Sequence, residues 1–237
     1  MSAPSEARER LIVALDFPSA AIALDHVDRL EGQALWFKVG LQLYLAAGGS
    51  IVETLRNRGH KVFLDLKLHD IPNTVAGAIY SVAPLGASLL TVHAAGGCAM
   101  LNAAAEATAK ANGPELLAVT VLTSFDAAQL ACTGVSDALP AQVLRLARMA
   151  EAAGIHGMVC SPEEVSNLRA ELASNSLLVI PGIRPASAEH GDQRRVATPA
   201  SAIRAGASKL VVGRPITQAV NPAAAAEAIL AEIAAVL

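Results

Sequence analysis

The segment Asp65-Leu66-Lys67-Leu68-His69-Asp70-Ile71-Pro72-Asn73-Thr74 places two carboxylates and an ammonium within six residues. Side chains alternate along a strand, so Asp65 and Lys67 are expected on one side and Leu66 and Leu68 on the other. Burying an ammonium and a carboxylate together is costly unless they pair. At about 4 Å and an effective dielectric of about 20, their attraction is on the order of 4 kcal/mol. Such a pair either holds the fold together or is set for catalysis, and the dipeptide spacing alone fits both. Asp70, Pro72 and Thr74, on the loop leaving the strand, favour catalysis. Lys38, in Phe37-Lys38-Val39-Gly40, ends the preceding strand and can complete a Lys–Asp–Lys–Asp array. A lysine held in this way suits stabilisation of a developing anion and delivery of a proton to it.

The elements that must position these groups alternate in type. Short β-branched runs at 11–15, 35–39, 61–66, 89–92, 116–122, 157–159, 177–180 and 209–212 read as strands. Alanine-rich stretches at 20–30, 74–83, 98–110, 138–153, 162–172 and 222–236 read as helices, with a shorter one at 198–205 beginning near Pro199. Eight strands, each followed by a helix-compatible segment, predict an α/β fold: one (β/α)8 TIM barrel occupying residues 1–237 as a single domain. A doubly wound open sheet would usually carry a glycine-rich turn after its first strand. Here that turn reads Asp16-Phe17-Pro18-Ser19. Asp16, Lys38, Asp65, Lys67, His93, Thr123, Ser161, Arg184 and Arg214 all fall at or just beyond the C-terminal ends of candidate strands. That rim is where barrel enzymes build their sites.

Composition narrows the function classes. A hydrophobic fraction of 53% against 16% charged residues supports a large core and argues against disorder. A net charge of −3 provides no basic footprint for nucleic acid, although a phosphorylated small molecule needs only a local cationic spot. Cys98, Cys132 and Cys160 are widely spaced, with no CxxC pair or metal-ligand cluster, which fits a reducing interior. The opening MSAPSEARER is polar, and the apolar run after it is broken by Asp16 and Pro18. A soluble cytoplasmic protein with no membrane segment is expected.

The segment DLKLHDIPNT resembles the signature of the orotidine 5'-phosphate decarboxylase family, in which DxKxxD is the catalytic core. Further blocks agree in order: VALDFP, FKVG, VHAAGG, AVTVLTS, VCSPEE, PGIRP followed by GDQRR, and VVGRPIT, spanning residues 13–217. DxKxxD by itself is shared with sugar-phosphate barrels; the ordered set carries the resemblance. It implies that Asp16 and Lys38 bind the ribose hydroxyls, that Asp65 faces the substrate carboxylate and that Lys67 protonates C6. It also implies that Asp70, with Ile71 and Thr74, reaches the site of a second subunit in a homodimer. Thr123 or Ser124 would lie near the pyrimidine. Gln193, Gly213 and Arg214 would hold the phosphate, with Arg184 in the same region and 184–198 as a mobile lid. No cofactor and no metal are implied.

The chemistry agrees with these residue types. Loss of carbon dioxide from C6 leaves an electron pair in the ring plane, where π-delocalisation cannot accept it. Most decarboxylases borrow a cofactor as the electron sink. This chain has no dinucleotide fingerprint and no clustered metal ligands, and offers Lys67 instead. Asp65 is expected both to press on the substrate carboxylate and to keep Lys67 charged and oriented. The alternative is a metal-dependent sugar-phosphate decarboxylase or epimerase of the same barrel group, where a carboxylate is expected in place of Lys38. A catalytically silent nucleotide-binding barrel is disfavoured by the complete charged array. His69 is set apart from Asp65 and Lys67 by alternation and reads as structural, as does His93. His26, His60, His156 and His190 lack metal spacing, and Ser124 and Ser161 lack a triad arrangement. Arg145, Arg148 and Glu151 read as a solvated, ion-paired face.

Overall fold

Runs of buried, largely apolar residues form β1 (Leu11–Ala14), β2 (Trp36–Gly40), β3 (Lys61–Leu68), β4 (Leu89–His93), β5 (Glu115–Val119), β6 (Gly157–Val159), β7 (Leu177–Ile180) and β8 (Lys209–Val212). In the computed structural model, which describes residues 5–185 and 196–237, these strands pair in sequence order and close into a barrel. All pairings are parallel, and closure is made by Leu11, Ile12 and Val13 against Leu210, Val211 and Val212. Strands buried on both faces need no polar side, which is why they read as continuous apolar runs.

Two apolar cores result. Ile12, Trp36, Phe63, Leu89, Leu117, Val179 and Val211 fill the barrel interior. A larger shell, including Val13, Phe37, Leu64, Leu90 and the inner faces of the helices, packs outside it. Two residues beyond Trp36, Phe63 and Leu89 the interior turns polar, because those positions are Lys38, Asp65 and Thr91 on the same pleat face.

Local chemistry sets the helix starts. Ser19, Thr198 and Asn221 accept from backbone N–H groups in the first turns of Ala20–Arg29, Pro199–Arg204 and Pro222–Ala234. Pro72, Pro199 and Pro222 stand at first helical positions, where proline's fixed φ fits and its missing N–H costs nothing.

Several expected boundaries shift. β5 stops at Val119 rather than 122, because the chain there turns away into the loop carrying Thr123. The stretch expected as one helix over 162–172 begins as a 3-10 turn, Pro162–Glu164, in which the buried Glu164 carboxylate accepts from Ser161 N–H at 2.6 Å. Ser161 thus holds the N-cap position of that turn through its backbone, while its hydroxyl is buried without a hydrogen-bond partner among the described residues. Helices Ser5–Arg10, Leu41–Ala47, Ser50–Asn57, Ala127–Cys132 and Arg214–Thr217 were not expected; all are eight residues or fewer, too short to show a clear period. Arg145 and Arg148 pair with Asp137 and Glu171, whereas Glu151 accepts from Ala173 N–H at 2.9 Å in the turn after helix Val165–Glu171.

Candidate active site

The C-terminal mouth of the barrel opens into a cleft of about 650 Å³. Lys38, from β2, lies at its floor with its Nζ 2.8 Å from Asp16 Oδ1 and 3.6 Å from Asp65 Oδ2. Lys67 approaches Asp65 from the other side, and its Nζ is 2.8 Å from both carboxylate oxygens. Asp65 is therefore clamped between two ammonium groups. Its own burial pushes the carboxyl upward and is the largest single influence. The charges of Lys38 and Lys67, with hydrogen bonds from Lys67 and Thr91, outweigh it and hold the carboxyl below its ordinary range.

This pairing coincides with a break in the ladder. β3 and β4 are in step at Leu64 and Leu90, but the next partners are Leu68 and Val92. Lys67 accordingly has φ of 51°, in the left-handed region that side chains rarely enter. Asp65 and Lys67 do meet on one side, as alternation suggested, and Leu66 and Leu68 pack against the outer core. The irregularity falls on the same stretch that carries the contact. The same irregularity removes the basis for setting His69 apart. Its ring lies beyond the end of β3, 5.2 Å from that of His93. Burial first, then the charges of His69 and Lys67, push His93 below its ordinary pKa against the pull of Asp65, which suits a neutral scaffold residue.

Gly40 has a local reason to be glycine. A Cβ there would stand 2.7 Å from both Asp16 Oδ1 and Lys38 Nζ, inside the ion pair.

The opposite side of the cleft is cationic. Arg184, 8% exposed, donates from Nη1 to Ile183 O at 2.8 Å. Burial and the nearby charge of Arg214 both push its pKa down, so the two guanidinium groups share one neighbourhood. An anion between them would relieve that repulsion. Gly213 and Arg214 open the short helix Arg214–Thr217 and line the same cleft. The base of the preceding loop is tied by Arg184 N–H donating to Ala197 O at 2.9 Å. Gln193 and most of the expected lid lie outside the described residues.

Of the residues singled out from sequence, Asp16, Lys38, Asp65, Lys67, Thr123, Arg184, Gly213 and Arg214 line this cleft. Thr123 is among its lining residues and Ser124 is not. Asp70, Ile71 and Thr74 do not line it either. They sit on the exposed start of helix Pro72–Val82, where Asp70 Oδ1 accepts from Ile71 N–H at 2.6 Å. Sequence reasoning missed the apolar walls of the cleft, including Phe63, Val119, Val159 and Val211. It also missed Thr91, whose hydroxyl touches both Asp65 and the Lys67 backbone. Nothing in a buried strand's local pattern distinguishes such residues from ordinary core. Among the described residues none of the three cysteines forms a disulfide, and no helix is long and apolar enough to cross a membrane.

A closed parallel barrel with a lysine–aspartate–lysine array around a buried carboxylate at its C-terminal rim defines a (β/α)8-barrel enzyme. The chain belongs to the Orotidine 5'-phosphate decarboxylase / HUMPS family, whose profile matches residues 9–229. It is 55% identical to an orotidine 5'-phosphate decarboxylase of Halorhodospira halophila over 95% of this chain and 96% of that protein. Identity is 53% to one of Anaeromyxobacter sp., over 94% of this chain and 97% of the other. A crystal structure of orotidine 5'-phosphate decarboxylase from Lactobacillus acidophilus superposes with a TM-score of 0.85 at 39% identity. That match covers 95% of this chain and 99% of the other.

Proposed function

We propose that this protein, as one barrel domain, decarboxylates orotidine 5'-phosphate to UMP and carbon dioxide without a cofactor, in de novo pyrimidine biosynthesis. The observation that carries the reading is the Lys67 ammonium, held 2.8 Å from both oxygens of Asp65 at the mouth of a cleft whose other side is cationic. The C6–carboxylate bond breaks, its electron pair stays on C6, and C6 takes a proton from Lys67 Nζ. The resulting neutral amine recovers its proton from water. Asp65, ionised by its two lysine neighbours, faces the substrate carboxylate and keeps Lys67 aimed. Its hydrogen bonds and charges are in place before the reaction, so little reorganisation is needed as the carbanion forms.

Asp16 and Lys38 would hold the ribose hydroxyls, Thr123 the pyrimidine side, and Arg184, Gln193, Gly213 and Arg214 the phosphate. Binding energy from that remote phosphate can order the site for chemistry. A substrate lacking the phosphate should therefore lose turnover at saturation as well as affinity. Equal turnover of the dephosphorylated nucleoside would overturn this assignment.

Asp70, Ile71 and Thr74 would serve the cleft of a second copy in a homodimer. Their exposure outside their own cleft supports this, as do the exposed apolar side chains of Ile71, Tyr80, Leu41 and Leu45. A cytoplasmic setting, with no nucleic-acid or membrane partner, fits a small-molecule enzyme of this composition. The metal-dependent reading is disfavoured by Lys38 and Lys67. Two ammonium groups already neutralise the carboxylates a dication would need, and a dication would have to displace one.

Ultraviolet-monitored turnover of orotidine 5'-phosphate in the presence of chelator tests the proposal, with Lys67→Ala run beside the wild type. UMP formation that resists chelation and vanishes in the variant is expected. A well-folded wild type without turnover would refute the reading and redirect the search to magnesium and sugar phosphates.

A further inference from the structure

We propose that Thr91 is a positioning residue of the catalytic centre, its hydroxyl standing in for a missing ladder partner and fixing Lys67 and Asp65 in the conformation that pairs them. Its catalytic consequence rests on the decarboxylase reading; its structural consequence does not.

The argument begins with register. From Leu64 to Leu68, β3 advances four residues while β4 advances two, from Leu90 to Val92. Asp65, Leu66 and Lys67 thus face the single residue Thr91. A strand with surplus residues bulges and strands some of its backbone groups away from ladder acceptors. A buried N–H left without an acceptor is expensive. Lys67 also has a positive φ of 51°, which must be held by its surroundings.

Thr91 supplies what is missing. It is fully buried on the interior face of β4. Its Oγ1 accepts from Lys67 N–H at 2.8 Å and donates to Asp65 Oδ1 at 3.0 Å. The direction of both bonds is forced, because an amide N–H can only donate and an ionised carboxylate can only accept. One hydroxyl therefore grips the backbone of the proton donor and the side chain of its carboxylate partner. Asp65 Oδ1 is also 2.8 Å from Lys67 Nζ, so three residues form a closed ring of hydrogen bonds. A β-branched residue suits the position, since its χ1 is stiff and its oxygen stays where the bulge needs it.

The experiment compares full-length wild type with Thr91→Val, Thr91→Ala and Thr91→Ser. It reads kcat and KM for orotidine 5'-phosphate, Tm, and hydrogen exchange at the Lys67 amide. Valine keeps the shape and removes the oxygen; serine keeps the oxygen and removes a methyl group. The proposal expects kcat to fall roughly 10- to 100-fold in the valine and alanine variants. Their KM should stay within about threefold of wild type. Serine should restore kcat to within about fivefold of wild type, because it restores the hydrogen bond. Exchange at the Lys67 amide should be at least about tenfold faster in valine and alanine than in serine.

A packing role predicts the opposite order, with valine close to wild type and serine no better than alanine; either result overturns the proposal. Should the valine variant fail to fold, the serine–alanine contrast decides by itself. Absence of turnover in the wild type would sink the decarboxylase reading while leaving amide exchange to decide the role of Thr91.

Discussion

At the N-terminal mouth of the barrel, Glu9 accepts from Trp36 Nε1 at 2.8 Å and from Lys61 Nζ at 2.7 Å. Lys209 lies over the Trp36 ring, 4.0 Å from its centroid, and donates to Glu9 O at 2.6 Å. At the C-terminal mouth, Lys38 and Lys67 flank Asp65 in much the same way. Both ends gather two lysines around a carboxylate, yet they differ in backbone and in space. The lower cluster grows from strand starts in regular register, Trp36 opposite Lys61, with an indole closing the barrel behind it. The upper one grows from a bulge, with a positive-φ lysine and an open cleft.

Perturbed titration alone does not separate the two ends, since Asp65 at one and Glu9 and Lys209 at the other are all shifted. Burial, the largest influence, pushes Lys209 down to about 8; Glu9 resists it, and Lys61 and Arg10 add to it. A positive-φ residue beside an open cleft is what sets the C-terminal cluster apart from the one at the N-terminal mouth.

Substitutions at the two ends should therefore separate activity from stability. Lys67→Ala should lower kcat/KM by about 10⁴-fold or more, combining lost proton delivery with lost charge stabilisation. Its Tm should barely move, and a variant that loses stability in proportion to activity would collapse the distinction. At the other mouth, Glu9→Gln should cost about 1–3 kcal/mol in denaturant unfolding by weakening charged hydrogen bonds. Its kcat should be unchanged, and a fall of tenfold would show that the ends are coupled.

The pH dependence of Lys209 has a definite sign. Its folded pKa is about 8 and its ordinary value 10.5, so between these the unfolded chain binds more protons and stability rises with pH. Compared with Lys209→Met, the wild type should gain on the order of 2 kcal/mol from about pH 7.5 to about 9.5. A difference that stays flat or moves the other way would mean that Lys209 keeps an ordinary pKa. The smallest effect is expected at Gly40→Ala, where the new Cβ must push Asp16 and Lys38 apart. KM should rise roughly three- to tenfold, as for a weakened polar contact, with Tm little changed. An unchanged KM would argue against a ribose role for that pair.

Much of this was legible beforehand. The eight strands, their order and the rim positions of Asp16, Lys38, Asp65, Lys67, Arg184 and Arg214 follow from runs of apolar residues that end in charge. Periodicity is a local property, and a barrel strand advertises it over four or five residues. The side chains that face inward in such runs are less visible, because both faces are apolar; hence Phe63, Val119, Val159 and Val211 passed as ordinary core.

The amino-acid sequence by itself determined which groups could react and which end of the barrel would hold them, because strand ends and charged residues coincide along the chain. Only the tertiary structure decided that three residues of β3 oppose one of β4 and that the Thr91 hydroxyl bonds both Asp65 and the Lys67 backbone. Register is a relation between distant segments, fixed by the closing of the whole barrel, and no pattern within either strand contains it.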